Sequence, residues 1–259
     1  MILDRIAADT KLRVNKAKRE VTFSQMRAMA YKKEKNTGFP FEKMLKEPGM
    51  HYICEVKKAS PSKGVIAENF PYLEIAKEYE EAGAGAISCL TEPKYFQGKN
   101  EYLQKITENV KIPVLRKDFT VDEYMIYEAK VLGASAVLLI CAILDTDTIC
   151  RYIKICDHLG LSALVEVHDE EEMESAIEAG ARVIGVNNRN LKDFTVDIGN
   201  SLRLRSQAPE EILFVAESGI KTAEDIRKLK EAKVNGVLIG ETLMRSPDKK
   251  ACLKELDGE

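Results

Sequence analysis

The sequence predicts a (β/α)8 barrel, and three observations carry that prediction. Eight short apolar, β-branched runs recur along the 259 residues. Amphipathic stretches with apolar residues at spacings of three and four lie between most of them. The runs are apolar almost throughout rather than alternating, as expected of strands covered on both faces and therefore parallel. Eight strand–helix units in a chain of this length fit one closed barrel, so residues 1–259 are expected to form a single domain.

Residues 1–50 come first and stand outside the repeat. Ile2, Leu3, Ile6 and Ala7 share one helical face. Thr22 and Gln25 have capping-box spacing ahead of a second helix. This helical extension can be read as a plug for one barrel end or as a lid that helps close an active site.

The strand runs then follow in order. HYICEVK (51–57) is followed by the loop KKASPSKG (57–64), whose lysines and serines suit either a solvated turn or an anion-binding flap. YLEIAKEYEEAGA reads as a helix, GAISCLT (85–91) as strand two and IPVLRK (112–117) as strand three. DEYMIYEAKVLGA leads into SAVLLIC (135–141), and LSALVEV (161–167) is strand five. EEEMESAIEAGA precedes RVIGVN (182–187). ILFVAES (212–218), the helix AEDIRKLKEAK and NGVLIG (235–240) complete the set. Gly83, Gly133 and Gly180 each end a helix just before a strand, where a left-handed residue stops the helix. An open doubly wound sheet would show the same helix ends, so they support the class more than the closure.

Composition narrows the function. Hydrophobic residues make up 45% and charged residues 31%, which excludes a mainly disordered chain. The 39 Lys and Arg nearly balance 42 Asp and Glu for a net charge of −3, without the basic excess of a nucleic-acid binder. No apolar run approaches the ~20 residues of a membrane span. Cys54, Cys89, Cys141, Cys150, Cys156 and Cys252 form no C-x-x-C pair, and three of them fall inside strand runs. They read as reduced core thiols of a cytoplasmic protein. His51, His158 and His168 lack metal-ligand spacing, so no metal is expected. The expected partner is a small molecule, with neither nucleic acid nor membrane, and a monomer is compatible with everything in the sequence.

The chemistry gathers at strand ends. Residues two apart share a face of a strand, so Glu55 and Lys57 point the same way, as do Asn187 and Arg189. Lys117 ends the third run, and Glu166 and Glu217 lie near the ends of the fifth and seventh. In a closed barrel these carboxyl ends converge on one mouth, where active sites sit. A structural ion-pair ring would use the same residues. Interleaved acids and bases also suit proton transfer and stabilisation of a developing cation. Glycines follow strands seven and eight in ESGIKTAED (Gly219, after Glu217 and Ser218) and LIGETLM (Gly240). Those two loops are where many barrels hold a phosphate. Ser60 and Lys57 could add donors. Phe96 and Phe119 follow strands two and three and are either core or a flat apolar wall for an aromatic substrate.

Taken together, EVKKASPSKG, TEPKYFQG, VLRKDF, ALVEVH, GVNNRNL, AESGI and LIGETLMR, in that order, resemble the indole-3-glycerol phosphate synthases over essentially the whole chain. The resemblance implies a carboxy-lyase of tryptophan biosynthesis that needs no cofactor. It would close the indole ring of 1-(2-carboxyphenylamino)-1-deoxyribulose 5-phosphate with loss of CO2 and water. Lys117 then matches the general acid. Glu166 and Glu55 match carboxylates that stabilise the cation and act in dehydration. Lys57 matches a lysine on the substrate anion, and Asn187 and Arg189 match orienting residues. Glu217 and Ser218 match the pair after strand seven, and Ser60, Gly219 and Gly240 match substrate-loop positions. Phe96 and Phe119 match the aromatic wall, and residues 1–50 the family's helical extension. The roles of Lys57 against Lys117, and of Glu55 against Glu166, stay open. Glu241 stands where some members have serine, removing a hydroxyl from the phosphate loop. The rival readings are a phosphoribosyl-type isomerase barrel and a non-catalytic barrel that binds a phosphometabolite. Cys54, the thiol on strand one that such an isomerase would call on, has the parity opposite to Glu55 and should face the helices.

Overall fold

The computed structural model describes residues 2–190 and 194–258. Leu191, in the motif GVNNRNL, lies outside the described residues. The eight runs form parallel strands β1 (His51–Val56), β2 (Ala86–Leu90), β3 (Val114–Lys117), β4 (Ala136–Ile140), β5 (Ser162–Val167), β6 (Val183–Asn187), β7 (Leu213–Glu217) and β8 (Gly236–Ile239). Each strand pairs with its sequence neighbours, and β1 pairs with both β2 and β8, which closes the barrel. SAVLLIC is shorter as a strand than the sequence suggests. Its last pairing is Ile140 with Glu166, and Cys141 begins a 3-10 turn through Ile143.

Helices α1 (Ile2–Glu20), α2 (Phe23–Tyr31) and α3 (Pro40–Lys46) precede β1. One helix follows each of the first seven strands: α4 (Tyr72–Glu81), α5 (Asn100–Thr107), α6 (Tyr124–Val131), α7 (Thr146–Leu159), α8 (Glu170–Glu178), α9 (Gly199–Arg205) and α10 (Ala223–Glu231). After β8 come α11 (Glu241–Arg245) and α12 (Lys249–Asp257). The helix-end glycines Gly83, Gly133 and Gly180 take φ of 97°, 88° and 84°.

Strand alternation divides the core in two. Cys54, Val56, Leu139, Val165 and Val186 belong to the outer cluster between strands and helices. Ile53, Leu115, Leu164, Val183, Val215 and Leu238 fill the barrel itself. Four of the inward rows are apolar low in the barrel and turn ionic one step higher. Ile53 is followed two residues later by Glu55, Leu115 by Lys117, Leu164 by Glu166 and Val215 by Glu217. Parity thus places an ionic layer on an apolar floor. It also seats Cys54 among the helices, where burial raises its thiol pKa.

The N-terminal extension acts at both barrel ends. Phe41 and Leu45 of α3 are fully buried in the inner cluster, and Asn235, just before β8, donates to the Leu45 carbonyl at 3.3 Å. That end is plugged. At the opposite end α1 crosses the mouth. Arg13 pairs with Asp118 at 2.7 Å, Lys18 with Asp122 at 2.7 Å and Asp9 with Lys94 at 2.8 Å. Both Asp118 and Asp122 lie just beyond β3, so α1 is clasped to the loop that follows Lys117. Between the two, Thr22 and Gln25 form the expected capping box on α2. Among the described residues no helix is long and apolar enough to cross a membrane.

Candidate active site

A cavity of about 360 Å³ opens at the carboxyl ends of the strands. Every site residue expected from the sequence lines it: Glu55, Lys57, Ser60, Phe96, Lys117, Phe119, Glu166, Asn187, Arg189, Glu217, Ser218, Gly219, Gly240 and Glu241. Ile2, Leu3 and Ile6 of α1 close one side, and Leu138, Ile140 and Leu238 contribute to the apolar floor.

Lys117 stands at the centre. Its Nζ lies 2.8 Å from Glu166 Oε2 and 3.0 Å from Glu217 Oε2. Burial alone would favour the neutral amine, but Glu166, Glu217 and Glu55 outweigh it and hold Lys117 as an ammonium well above the ordinary lysine range. Asn187 Nδ2 donates to Glu166 Oε1 at 3.3 Å. Against the desolvation of a buried site, Lys117 and then His168 keep the Glu166 carboxyl below its usual range.

Glu217 differs. Its pKa is pushed up to about 7, first by burial and then by Glu166 and Glu55, with Lys117 opposing. Its Oε1 is buried and has no hydrogen-bond partner among the described residues. One ammonium cannot neutralise two adjacent carboxylates, so Glu217 is the group that exchanges a proton near neutrality. Gly185 makes room for it, since a Cβ there would sit 2.3 Å from Glu217 Oε1.

Lys57 and Glu55 form a second pair at 2.6 Å, with Ser88 Oγ donating to the other carboxylate oxygen at 3.3 Å. Gly240 packs against this pair. A Cβ at 240 would lie 2.6 Å from Glu55 Oε1 and 2.8 Å from Lys57 Nζ. The turn after β7 is strained in the way functional turns are: Ser218 takes φ 68° and Gly219 φ 85°. Asn188 fixes that turn by donating to the Ser218 carbonyl at 3.1 Å, and Ser201 anchors Asn188 through its backbone N–H and hydroxyl. Glu241, on the rim, faces Lys63 at 3.6 Å and Arg245 at 3.1 Å, so its charge is offset where an anion would approach.

The loop 57–64 folds into a small antiparallel hairpin, Ala59–Ser60 against Gly64–Val65, with Ser60 turned to the cavity. Phe96 and Phe119 meet with ring centroids 5.9 Å apart and form one wall. Glu92 holds Phe96 in place by accepting the backbone N–H groups of Lys94, Tyr95 and Phe96. Arg189 lines the rim and donates to the Phe194 carbonyl at 3.2 Å.

Sequence reasoning missed His168, 3.6 Å from Glu166 Oε1. The parity that pairs Glu55 with Lys57 also pairs Glu166 with His168, but the apolar run ends at Val167 and nothing in the spacing of the histidines marks this one. The Arg13–Asp118 clasp had no signal at all, because 105 residues separate its partners. Among the described residues no group of three or more His, Cys, Asp or Glu is arranged to hold a metal ion.

The chain resembles known proteins along its full length. Residues 3–256 match the family model described as indole-3-glycerol phosphate synthase. A protein of that name from Ruminiclostridium cellulolyticum is 61% identical over 258 residues, covering 100% of this chain and 99% of its own. Another from Endomicrobium trichonymphae is 54% identical over 256 residues, covering 99% of each chain. Among solved structures, 3-hexulose-6-phosphate synthase superposes with a TM-score of 0.65 at 17% identity, over 81% of this chain and 99% of that one. Thiamine phosphate pyrophosphorylase from Pyrococcus furiosus gives a TM-score of 0.60 at 18% identity, over 81% and 94%. At such identities these structures attest the barrel and no more.

Proposed function

The chain belongs to the indole-3-glycerol phosphate synthase family, and from that premise we propose how its own residues carry out the family's reaction. That reaction converts 1-(2-carboxyphenylamino)-1-deoxyribulose 5-phosphate to indole-3-glycerol phosphate, CO2 and water. The observation that carries the assignment of roles is a buried ammonium, Lys117, shared by two carboxylates just above the apolar floor of the cavity.

The aromatic ring carbon bearing the carboxylate attacks the ketone carbon, and the ketone oxygen must gain a proton as that bond forms. Lys117 donates it. Positive charge then develops on the aniline nitrogen, and Glu166, held ionised, stabilises it. Loss of CO2 restores electrons to the ring. Dehydration follows: the new hydroxyl leaves as water with a proton from a lysine, and a carbon-bound proton passes to a carboxylate. Glu217 suits the second task, because its basic form is populated above about pH 7. Lys57 and Glu55, beside Gly240, sit toward the phosphate end, so Lys57 serves the substrate's anionic groups first. The backbone around Gly219 and Gly240, with Ser60, receives the phosphate. Phe96 and Phe119 stack along the carboxyphenyl ring, and Asn187 and Arg189 orient the chain between the two ends.

No cofactor enters this scheme. All the groups named come from one chain, so a single copy suffices. The free thiols support a cytoplasmic setting.

The test is direct, because the chain contains no Trp. Mixing the protein with the substrate should give rising indole fluorescence and released CO2. The value of kcat should rise with pH through about 7 as Glu217 loses its proton, and Glu217→Gln should remove that limb. Silence from a folded protein overturns the reading. Survival of the limb in Glu217→Gln moves the base role to another group.

A further inference from the structure

His168 lies two residues beyond Glu166, immediately after β5, and is not among the residues that line the cavity. Its Nδ1 is 3.0 Å from Glu172 Oε2, which also accepts the His168 backbone N–H at 2.8 Å. A carboxylate only accepts, so that partner assigns a proton to Nδ1. The other nitrogen, Nε2, is buried, lies 3.6 Å from Glu166 Oε1 and has no hydrogen-bond partner among the described residues. A neutral ring with its proton on Nδ1 would aim a lone pair at a carboxylate. An imidazolium aims an N–H at it.

The surroundings favour the second arrangement. Glu166 from β5, Glu172 from α8 and Glu217 from β7 all act on the ring. Asn200 of α9 donates to the His168 carbonyl at 3.0 Å and carries no charge. The nearby Cys141 thiol, pushed up to about 12 by burial and then by Glu172 and Glu166, is neutral as well. Burial favours an uncharged ring, yet the three carboxylates outweigh it and raise His168 above the ordinary imidazole range.

We propose that His168, as an imidazolium clamped by Glu172, is a positioning residue that keeps Glu166 ionised and aimed while Lys117 gives up its proton. The inference rests on the ring-closing reading of the mouth. Lys117 is the other cation on Glu166. When its proton moves from Nζ to the ketone oxygen, the ammonium becomes an amine and that counter-charge disappears. Cationic character forms on the substrate nitrogen in the same step, so Glu166 must stay a carboxylate then. A second cation that takes no part in the transfer meets that need.

Two measurements test this. In the resting protein, 15N-labelled histidine gives signals for only His51, His158 and His168, and His168→Gln assigns the one of interest. His168 should be a doubly protonated imidazolium at pH 7; a neutral ring overturns the inference whatever the variants do. His168→Gln should lower kcat about 10-fold, with KM within about 2-fold. The alkaline fall in kcat that follows loss of the imidazolium proton should vanish in that variant. Glu172→Gln should lower the titration of the ring and reproduce part of the kcat loss. Unchanged kcat and an unchanged pH profile in a folded His168→Gln protein overturn the proposal. A wild-type protein silent in the fluorescence assay overturns the ring-closing reading, and that failure is separate from a neutral ring.

Discussion

Replacing Lys117 by Met is expected to lower turnover at least about 10²-fold with the barrel intact, the usual cost of removing one preorganised group that acts on transition-state charge. Methionine keeps the length and apolar stem of the side chain, so the packing around Leu115 and Leu138 changes little. What is lost is the proton for the ketone oxygen and the cation between Glu166 and Glu217. Two buried carboxylates without a counter-charge would be costly, but Glu217 already protonates near neutrality and can relieve the repulsion. Circular dichroism and the melting temperature should therefore stay close to wild type while kcat and kcat/KM fall together. Lys117→Arg separates charge from proton donation. A guanidinium keeps the cation but does not deprotonate in proteins, so it should leave turnover low. Near-normal turnover in either variant would take the acid role from Lys117.

Glu166→Gln should cost about 10²- to 10³-fold in kcat, because it removes the carboxylate best placed to face the developing cation. The amide preserves the shape and can still accept from Asn187, so substrate binding should change far less than turnover. A shift in pH dependence accompanies the loss, and its sign follows from the site. Glu166 is one of the charges that raise the Glu217 pKa. Without it, Glu217 ionises at lower pH, and the rising limb of the residual kcat should move to the acid side of about 7. A limb that stays in place, or moves upward, would show that the two carboxylates do not act on each other as their shared lysine implies.

Much of the fold was legible because it repeats. Near-continuous apolar runs and glycine-terminated helices state the strand–helix unit many times over. Alternation along a strand is rigid enough to carry Glu55, Lys57, Lys117, Glu166, Asn187 and Glu217 to one mouth without any knowledge of distance. Alternation gives direction but not neighbours. That Lys117 sits between Glu166 and Glu217 while Lys57 takes Glu55 depends on the stagger of the closed barrel. The pKa of Glu217 depends on three charges from other strands. Residues 1–50 resisted for a different reason. Plug and lid are alternatives in the sequence, yet α3 fills the lower end of the barrel while α1 borders the cavity. Neither helix carries the strand repeat that made the rest readable.

The acid role of Lys117 turns on where the ketone oxygen lies relative to its ammonium. A crystal structure of the protein with an unreactive analogue, bearing a hydroxyl in place of the substrate ketone, measures this directly. The expected complex has that oxygen within hydrogen-bond reach of Lys117 Nζ, the phosphate on the turns at Gly219 and Gly240, and the carboxyphenyl ring against Phe96 and Phe119. An analogue bound with its phosphate away from those turns, or with its hydroxyl on Lys57 and out of reach of Lys117, would contradict it.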